Sequence, residues 1–336
     1  MIEQITTTLK TKSLSITELA KKYKITEASV KRILKDIKLS GYMLEKIKDK
    51  YTILTTQKIS ESEHTYESEK DNTYRFGFIG DTHLCSKYER LDVLNDLYDI
   101  YELEDITRVF HAGNWVEGEA PFNLYELKKH GIDDQIDYLV KNYPQKESIT
   151  TYAISGDDHE GWWAKRQGID IGRHAQHAMR EAGRTDWIDL GYMESYVQLK
   201  NANTKKTTRL LVMHPGGGSA YAVSYRPQKI VESLSGGEKP DVLLIGHYHK
   251  LSYNFIRNVH TIQCGCTQDQ TTFMRKKGID AHVGGGICEL KQDPSTGNIY
   301  SCKVEFFNYT NRATCNKRWS YRGDVSLPKR GVSNGR

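Results

Sequence analysis

Five short apolar runs punctuate the chain from residue 73 onward, and each gives way at once to residues that can bind a metal or move a proton. They are FGFIG before Asp81 and His83, RVFHAG before Asn114, TYAIS before Asp157-Asp158-His159-Glu160, RLLVM before His214, and DVLLI before Gly246-His247-Tyr248-His249. Apolar runs this short, bounded by glycine and polar residues, predict buried strands. The stretches between them, Phe122 to Tyr143 and Ile169 to Ala182 among others, carry helical periodicity. Strands alternating with helices predict an α/β layered fold whose functional loops gather at one edge of a sheet.

The first 57 residues follow a different pattern. Ser15 and Glu18 have the spacing of a capping box, which predicts a helix from Ile16 to Tyr23. Thr26 is placed to cap a second helix, in which Val30, Ile33, Leu34 and Ile37 form an apolar stripe and Gly41 supplies a left-handed stop. Ser29, Lys31, Arg32 and Lys35 lie off that stripe. The segments YMLEKI and KYTIL flank a Lys48-Asp49 turn and predict a hairpin. Two helices joined by a short turn, then a hairpin, form a helix-turn-helix with a wing. The stretch SITELAKKYKITEASVKRILKDI resembles the winged helix-turn-helix superfamily. That resemblance implies nucleic-acid binding through Ser29, Lys31, Arg32 and Lys35, with a purely protein-binding winged helix as the alternative. Residues 58–72 are polar and charged and read as a linker. The expected organisation is a winged helix over 1–57, a linker over 58–72, a catalytic body over 73–310 and a basic tail over 311–336.

Composition is that of a soluble globular protein, with 38% hydrophobic and 27% charged residues in 336. No run approaches the roughly 18 consecutive apolar residues of a membrane span, and no leader precedes the first helix, so a cytoplasmic protein without a membrane partner is expected. The net charge of +5 conceals a partition: residues 1–57 carry +6, residues 311–336 carry +6, and the body between them carries −7. Basic ends suit a polyanion, and an acidic body suits cations. Cys85, Cys264, Cys266, Cys288, Cys302 and Cys315 lack paired zinc-ribbon spacing and are expected as reduced thiols. No heptad repeat fixes an oligomeric state.

Five of the twelve histidines stand directly after predicted strands with carboxylates or an amide beside them. Imidazole and carboxylate together suit Mn²⁺, Fe²⁺ or Zn²⁺ rather than an all-oxygen Ca²⁺ site. Asp81-Thr82-His83, Gly113-Asn114, Asp158-His159-Glu160, His214 and Gly246-His247-Tyr248-His249 resemble, in order and spacing, the five motifs of the calcineurin-like metallophosphoesterases. The resemblance covers residues 74 to 309. It implies a two-layer β-sandwich flanked by helices, two divalent metal ions at one edge (manganese first, iron or zinc as alternatives), and phosphoester hydrolysis by a metal-bound hydroxide.

Carried over position by position, Asp81, His83 and His249 would hold one metal and Asp158, His214 and His247 the other. Asn114 stands where the family has a bridging aspartate, and Asp158 where it has an asparagine, with one extra residue after Gly156. Asp158 is therefore a candidate to take over the bridge, and Asp157 or Glu117 a candidate substitute ligand. Glu160 and Asp157 would orient the surrounding shell. His159 would be the catalytic proton donor. After His214, the stretch HPGGGSAYAVSYRPQK offers Tyr221, Tyr225 and Arg226 to stack on a base or clamp a phosphate, or else simply to pack a loop.

Asp81-Thr82-His83-Leu84 also looks like the first motif of the superfamily's double-strand-break repair nucleases. With the winged helix and basic tail, this favours a metal-dependent phosphodiesterase acting on DNA, a nuclease. Two other readings stay open: a DNA-binding regulator with a catalytically inactive phosphoesterase scaffold, and a phosphatase acting on nucleotides or phosphoproteins.

Overall fold

The computed structural model describes residues 2–39, 44–53, 64–69, 71–235 and 237–309, and these fall into two compact units, residues 1–63 and 64–336. The basic tail, Gly41 and residues 58–63 and 70 of the expected linker lie outside the described residues. No described helix is long and apolar enough to cross a membrane.

The first unit runs α1 (Ile2–Thr11), β1 (Leu14–Ser15), α2 (Ile16–Tyr23), α3 (Glu27–Leu39), β2 (Leu44–Ile47) and β3 (Lys50–Ile53). Ser15 Oγ accepts from Glu18 N while Glu18 Oε2 accepts from Ser15 N, so both halves of the capping box are made. Thr26 Oγ1 accepts from Ser29 N and caps α3. Val30, Ile33, Leu34 and Ile37 are buried against Leu19 and against Ile5 and Leu9 of α1, a helix the sequence pattern had not marked. Strands β2 and β3 form the expected hairpin, and β1 pairs with β3 on its other side.

The second unit contains two six-stranded sheets. Its strands are β4 (His64–Glu67), β5 (Thr73–Ile79), β6 (Arg108–His111), β7 (Thr150–Ser155), β8 (Trp187–Tyr192), β9 (Glu194–Lys200), β10 (Thr207–Met213), β11 (Val242–Ile245), β12 (Leu251–Ile256), β13 (Val259–Cys264), β14 (Gly284–Gln292) and β15 (Ile299–Asn308). Its helices are α4 (Leu91–Leu103), α5 (Ile132–Asn142), α6 (Gly161–Gln167), α7 (Ile171–Glu181), α8 (Tyr225–Ser233) and α9 (Thr272–Lys277). The first sheet has the order β15-β14-β5-β6-β7-β8 and the second β12-β13-β11-β10-β9-β4.

Alternation along the strands explains the layers. Tyr74, Phe76, Phe78 and Phe110 of the first sheet pack against Val197, Leu199, Leu210, Val212, Leu244 and Ile262 of the second, which fills the space between the sheets. Ile79, Val109 and Ala153 point the other way, onto α4, α5 and α7. Leu211, Leu243 and Ile245 meet α8 through Val231 on the far side of the second sheet. The body is therefore a two-layer β-sandwich flanked by helices, as expected.

Two expectations need correction. Residues 64–67 of the expected linker are a strand, β4, paired in parallel with β9. Tyr66 explains it: buried, with its hydroxyl donating to Arg75 O (2.7 Å) and the Arg108 guanidinium 4.1 Å from its ring, it anchors an otherwise polar segment. Second, the helical pattern from Phe122 yields a helix only from Ile132. Gly131 has φ +76°, and Asn123 turns inward to bond the backbone, so residues 122–131 form a loop with one 3₁₀ turn at Leu124–Glu126.

Candidate metal centre

Strands β5, β6 and β7 are parallel neighbours in one sheet, and β10 and β11 are parallel neighbours in the other. Their C-terminal ends carry Asp81, Asn114, Asp157, His214 and His247, so the five loops meet at one edge of the sandwich. The backbone there is unusual: Asp81, His83, Asn114, His247 and His249 all have φ between +46° and +75°. Such conformations cost about 1–3 kcal/mol each and persist only where the surroundings hold them. Here Asp81 N donates to Gly113 O, His83 N to Asn114 O, and His247 N to Asp81 Oδ2 (2.8 Å).

Glycine is required at two of these turns. A Cβ on Gly113 would stand 2.5 Å from His214 Nδ1, and one on Gly246 2.1 Å from Ala112 O. Both backbones pass too close to His214 and its support for any side chain.

Asp81, His83 and His249 bring their ligand atoms together. His83 Nε2 lies 3.2 Å from His249 Nε2, and these nitrogens are 3.8 and 3.5 Å from Asp81 Oδ1. Burial pushes the Asp81 carboxyl up, but His249, His214 and His83 hold it well below the usual range. Behind His83, its Nδ1 lies 2.9 Å from Glu117 Oε2. Glu117 is itself fixed by Asn123 Nδ2 and Gln268 Nε2. It thus sits behind the imidazole, and together with His83 and His159 it forms a further group whose ligand atoms lie close enough to hold a cation.

The second group is Asp157, His214 and His247. His214 Nδ1–H donates to Ala112 O (2.7 Å), and His247 Nε2–H donates to Gly217 O (2.6 Å). Each bond fixes a tautomer with the opposite nitrogen free for a cation. Asp158, expected here, lies outside the group. Glu160 Oε1 accepts from Gly156 N (2.7 Å), which sets the turn so that the very next residue, Asp157, faces inward. The extra residue is thereby taken up by Asp158, whose side chain is 44% exposed and 3.5 Å from Lys165 Nζ. Burial opposes it, yet Lys165 at 3.0 Å holds Asp157 below the ordinary carboxylate range, while burial and the charge of Asp157 raise Asp158.

Asn114 stands between the groups. Its Nδ2 is 3.4 Å from Asp81 Oδ1, and its Oδ1 lies so near Gly156 that a Cβ there would be 2.0 Å away. Asn114 Oδ1, Asp157 Oδ1 and His214 Nε2 are all buried without a hydrogen-bond partner. Buried acceptors left unpaired cost about 1–3 kcal/mol each, so a cluster of them facing one cleft fits divalent cations. Two nitrogens each about 2.1 Å from one ion at a near-tetrahedral angle stand about 3.4 Å apart, near the spacing of His83 and His249.

His159 flanks the first group, its ring centroid 4.3 Å from that of His83. Its Nδ1–H donates to Glu117 O (2.7 Å), and burial drives its pKa down to about 3, so the ring is neutral with Nε2 free. Glu160 ties two of the loops, accepting from Asn114 N (2.8 Å) as well as Gly156 N. Burial pushes its carboxyl up to about 8 against the pull of these backbone donors.

In the stretch after His214, Tyr221 is fully exposed and Tyr225 is 47% exposed. Arg226 has a buried, unpartnered Nε, and its guanidinium borders Gly217, the residue that holds His247. In the other unit, Lys31, Arg32 and Lys35 are exposed on α3, whereas the Ser29 hydroxyl is engaged with Thr26 Oγ1 (2.9 Å). Sequence reasoning missed Lys165, Asn123 and Gln268. Gln268 had a signal, since the further run HTIQC is followed, after Gly265 and Cys266, by the polar residues Thr267, Gln268 and Asp269.

No family model matches the sequence, and neither does any curated protein. Solved structures similar to it include an archaeal phosphodiesterase (13% identity, covering 70% of this chain and 100% of that one, TM-score 0.35). Others are zinc-bound Vps29 from Entamoeba histolytica (15%, 70% and 99%, TM-score 0.35) and the Plasmodium inner-membrane-complex anchor GAP50 (12%, 77% and 98%, TM-score 0.42). Likenesses this distant carry no function, and the site stands on its own residues.

Proposed function

We propose that the body is a metal-dependent phosphodiesterase acting on DNA, a nuclease of the calcineurin-like metallophosphoesterase kind. The observation that carries this reading is the pair of ligand groups, Asp81-His83-His249 and Asp157-His214-His247, on either side of the partnerless Asn114 Oδ1. When bound, two divalent cations supply Lewis-acid activation of water and neutralise phosphoryl charge. Manganese is our first choice, with iron or zinc compatible with the same donors.

The chain's own residues then have distinct tasks. Asp81 and Asp157 supply the anionic charge that offsets the cations. The neutral His159, fixed by Glu117 O, offers Nε2 to accept a proton at the reacting centre and pass it to the leaving oxygen. Arg226, beside Gly217, is placed to meet a phosphate oxygen. The DNA preference is supported by the exposed cations of α3, which suit phosphate contacts with little sequence information. The test is cleavage of labelled single- and double-stranded DNA with Mn²⁺, comparing wild type with His159→Ala and Asp157→Asn; wild type should cut and both variants should fail while still binding DNA.

One observation favours a second reading. Asn114 brings a neutral amide to the position between the two groups, and an amide binds a cation more weakly than a carboxylate. A DNA-binding regulator on an inactive phosphoesterase scaffold would bind DNA in that assay without cutting it, with or without metal.

A further inference from the structure

The loop that broke the expected helix exposes an aromatic surface beside His159. Phe122 is 62% exposed, Tyr125 88% and Phe273 57%. Large apolar side chains left in water at neighbouring positions mark a binding surface more often than an accident. This surface is held in place. Asn123, buried between Phe122 and Leu124, donates from Nδ2 to Glu117 O (3.0 Å), and the same residue, Glu117, positions His83 and His159. Lys87 Nζ donates to Tyr125 O (2.5 Å) and rides 4.3 Å from the centre of its ring. Thr272 Oγ1 donates to Glu126 Oε1, which joins Phe273 and α9 to the 3₁₀ turn. The Phe122 ring meets the His159 ring edge-on at 5.9 Å.

Cations are interleaved with the rings. Besides Lys87, the last turn of α9 presents Arg275, Lys276 and Lys277, all exposed. Aromatic faces flanked by cations suit unpaired nucleotides, whose bases stack while their phosphates meet the charges. A duplex keeps its bases stacked internally and offers the rings nothing. A protein partner would be better matched by aliphatic side chains without a ring of like charge.

We infer that Phe122, Tyr125 and Phe273 form a shelf for single-stranded nucleic acid that leads an unpaired strand to His159 and makes the enzyme prefer unpaired substrate. This inference rests on the phosphodiesterase reading.

The experiment uses the full chain carrying Lys31→Ala, Arg32→Ala and Lys35→Ala, so that α3 does not mask the shelf. Tyr125→Ala/Phe273→Ala is compared with this parent on oligo-dT, on a blunt duplex and on bis(p-nitrophenyl) phosphate with Mn²⁺. We expect KM for oligo-dT to rise about ten-fold per ring removed, with turnover of the chromogenic ester retained and little change on duplex. Phe122→Trp should keep the parental KM, and Phe122→Leu should not. An unchanged oligo-dT KM, an equal loss on duplex, or full rescue by leucine overturns the shelf while leaving the phosphodiesterase reading intact. If the parent hydrolyses none of the three substrates, the phosphodiesterase reading falls. The shelf is then decided by fluorescence anisotropy of labelled oligo-dT in chelator: a ten-fold weaker complex supports the surface, and equal affinity overturns it.

Discussion

His83 Nε2 and His249 Nε2 face one another at 3.2 Å, with Asp81 Oδ1 within 3.8 Å of both. At that separation both nitrogens cannot carry protons; without a cation, one ring's Nε2–H donates to the other. A cation shared among the three atoms takes the place of that proton. Mn²⁺ or Zn²⁺ at about a hundred-fold above its dissociation constant should therefore stabilise the fold by about 2.7 kcal/mol. Thermal melts with and without chelator should show a rise of several degrees, and His83→Ala/His249→Ala should lose it.

Asp157 and Asp158 are adjacent but differ in consequence. Asp157 groups with His214 and His247, whereas Asp158 faces Lys165 at the surface. Asp157→Asn should lose the second equivalent of bound metal and lower kcat by at least a hundred-fold, while Asp158→Asn should retain the metal and lose no more than a few-fold. Metal content by mass spectrometry, measured alongside hydrolysis, separates the two. Equal loss in both variants would return Asp158 to the site.

Glu160 joins the Asn114 and Gly156 loops through one carboxylate oxygen. Glu160→Ala leaves two buried backbone donors unpaired and should cost about 2–6 kcal/mol, with loss of metal binding. Glu160→Gln keeps an acceptor in the same place and should retain the fold. The sign of the pH dependence follows from burial, which raises the carboxyl from its ordinary 4.5 to about 8. Its stabilisation is fully present below 4.5 and is lost as pH rises through about 8. In chelator, urea midpoints of the wild type should fall across that window, and those of Glu160→Gln should fall less.

Much of this site was legible in the sequence. Apolar runs ending in His or Asp placed Asp81, His83, His214, His247 and His249, because a parallel strand must bury both faces and its functional group can only follow it. The assignment of Asp158 was not legible: spacing could not say which of two adjacent carboxylates would turn inward, since Glu160 decides that through a backbone bond. The aromatic shelf was hidden for a related reason. Phe122, Leu124 and Tyr125 fit a helical stripe as well as a surface, and the Asn123 hydrogen bond that breaks the helix is made to Glu117, a residue the pattern did not connect to it.

In the N-terminal unit, the buried stripe of α3 and its exposed cations divide one helix between two tasks. Val30, Ile33, Leu34 and Ile37 face α1 and α2, so replacing Lys31, Arg32 and Lys35 removes charge without opening the core. If these three side chains meet phosphates, the triple alanine variant should weaken DNA binding uniformly across sequences. The slope of log K against log salt should become shallower by about 0.9 for each duplex phosphate that is no longer neutralised. Ser29→Ala should act differently, because its hydroxyl is bonded to Thr26 at the helix cap: a small loss of stability, with the salt slope unchanged. Titrations of labelled duplex at several salt concentrations read both quantities. A triple variant with wild-type slope would mean that α3 meets a protein, and DNA would then have to be held by the body alone.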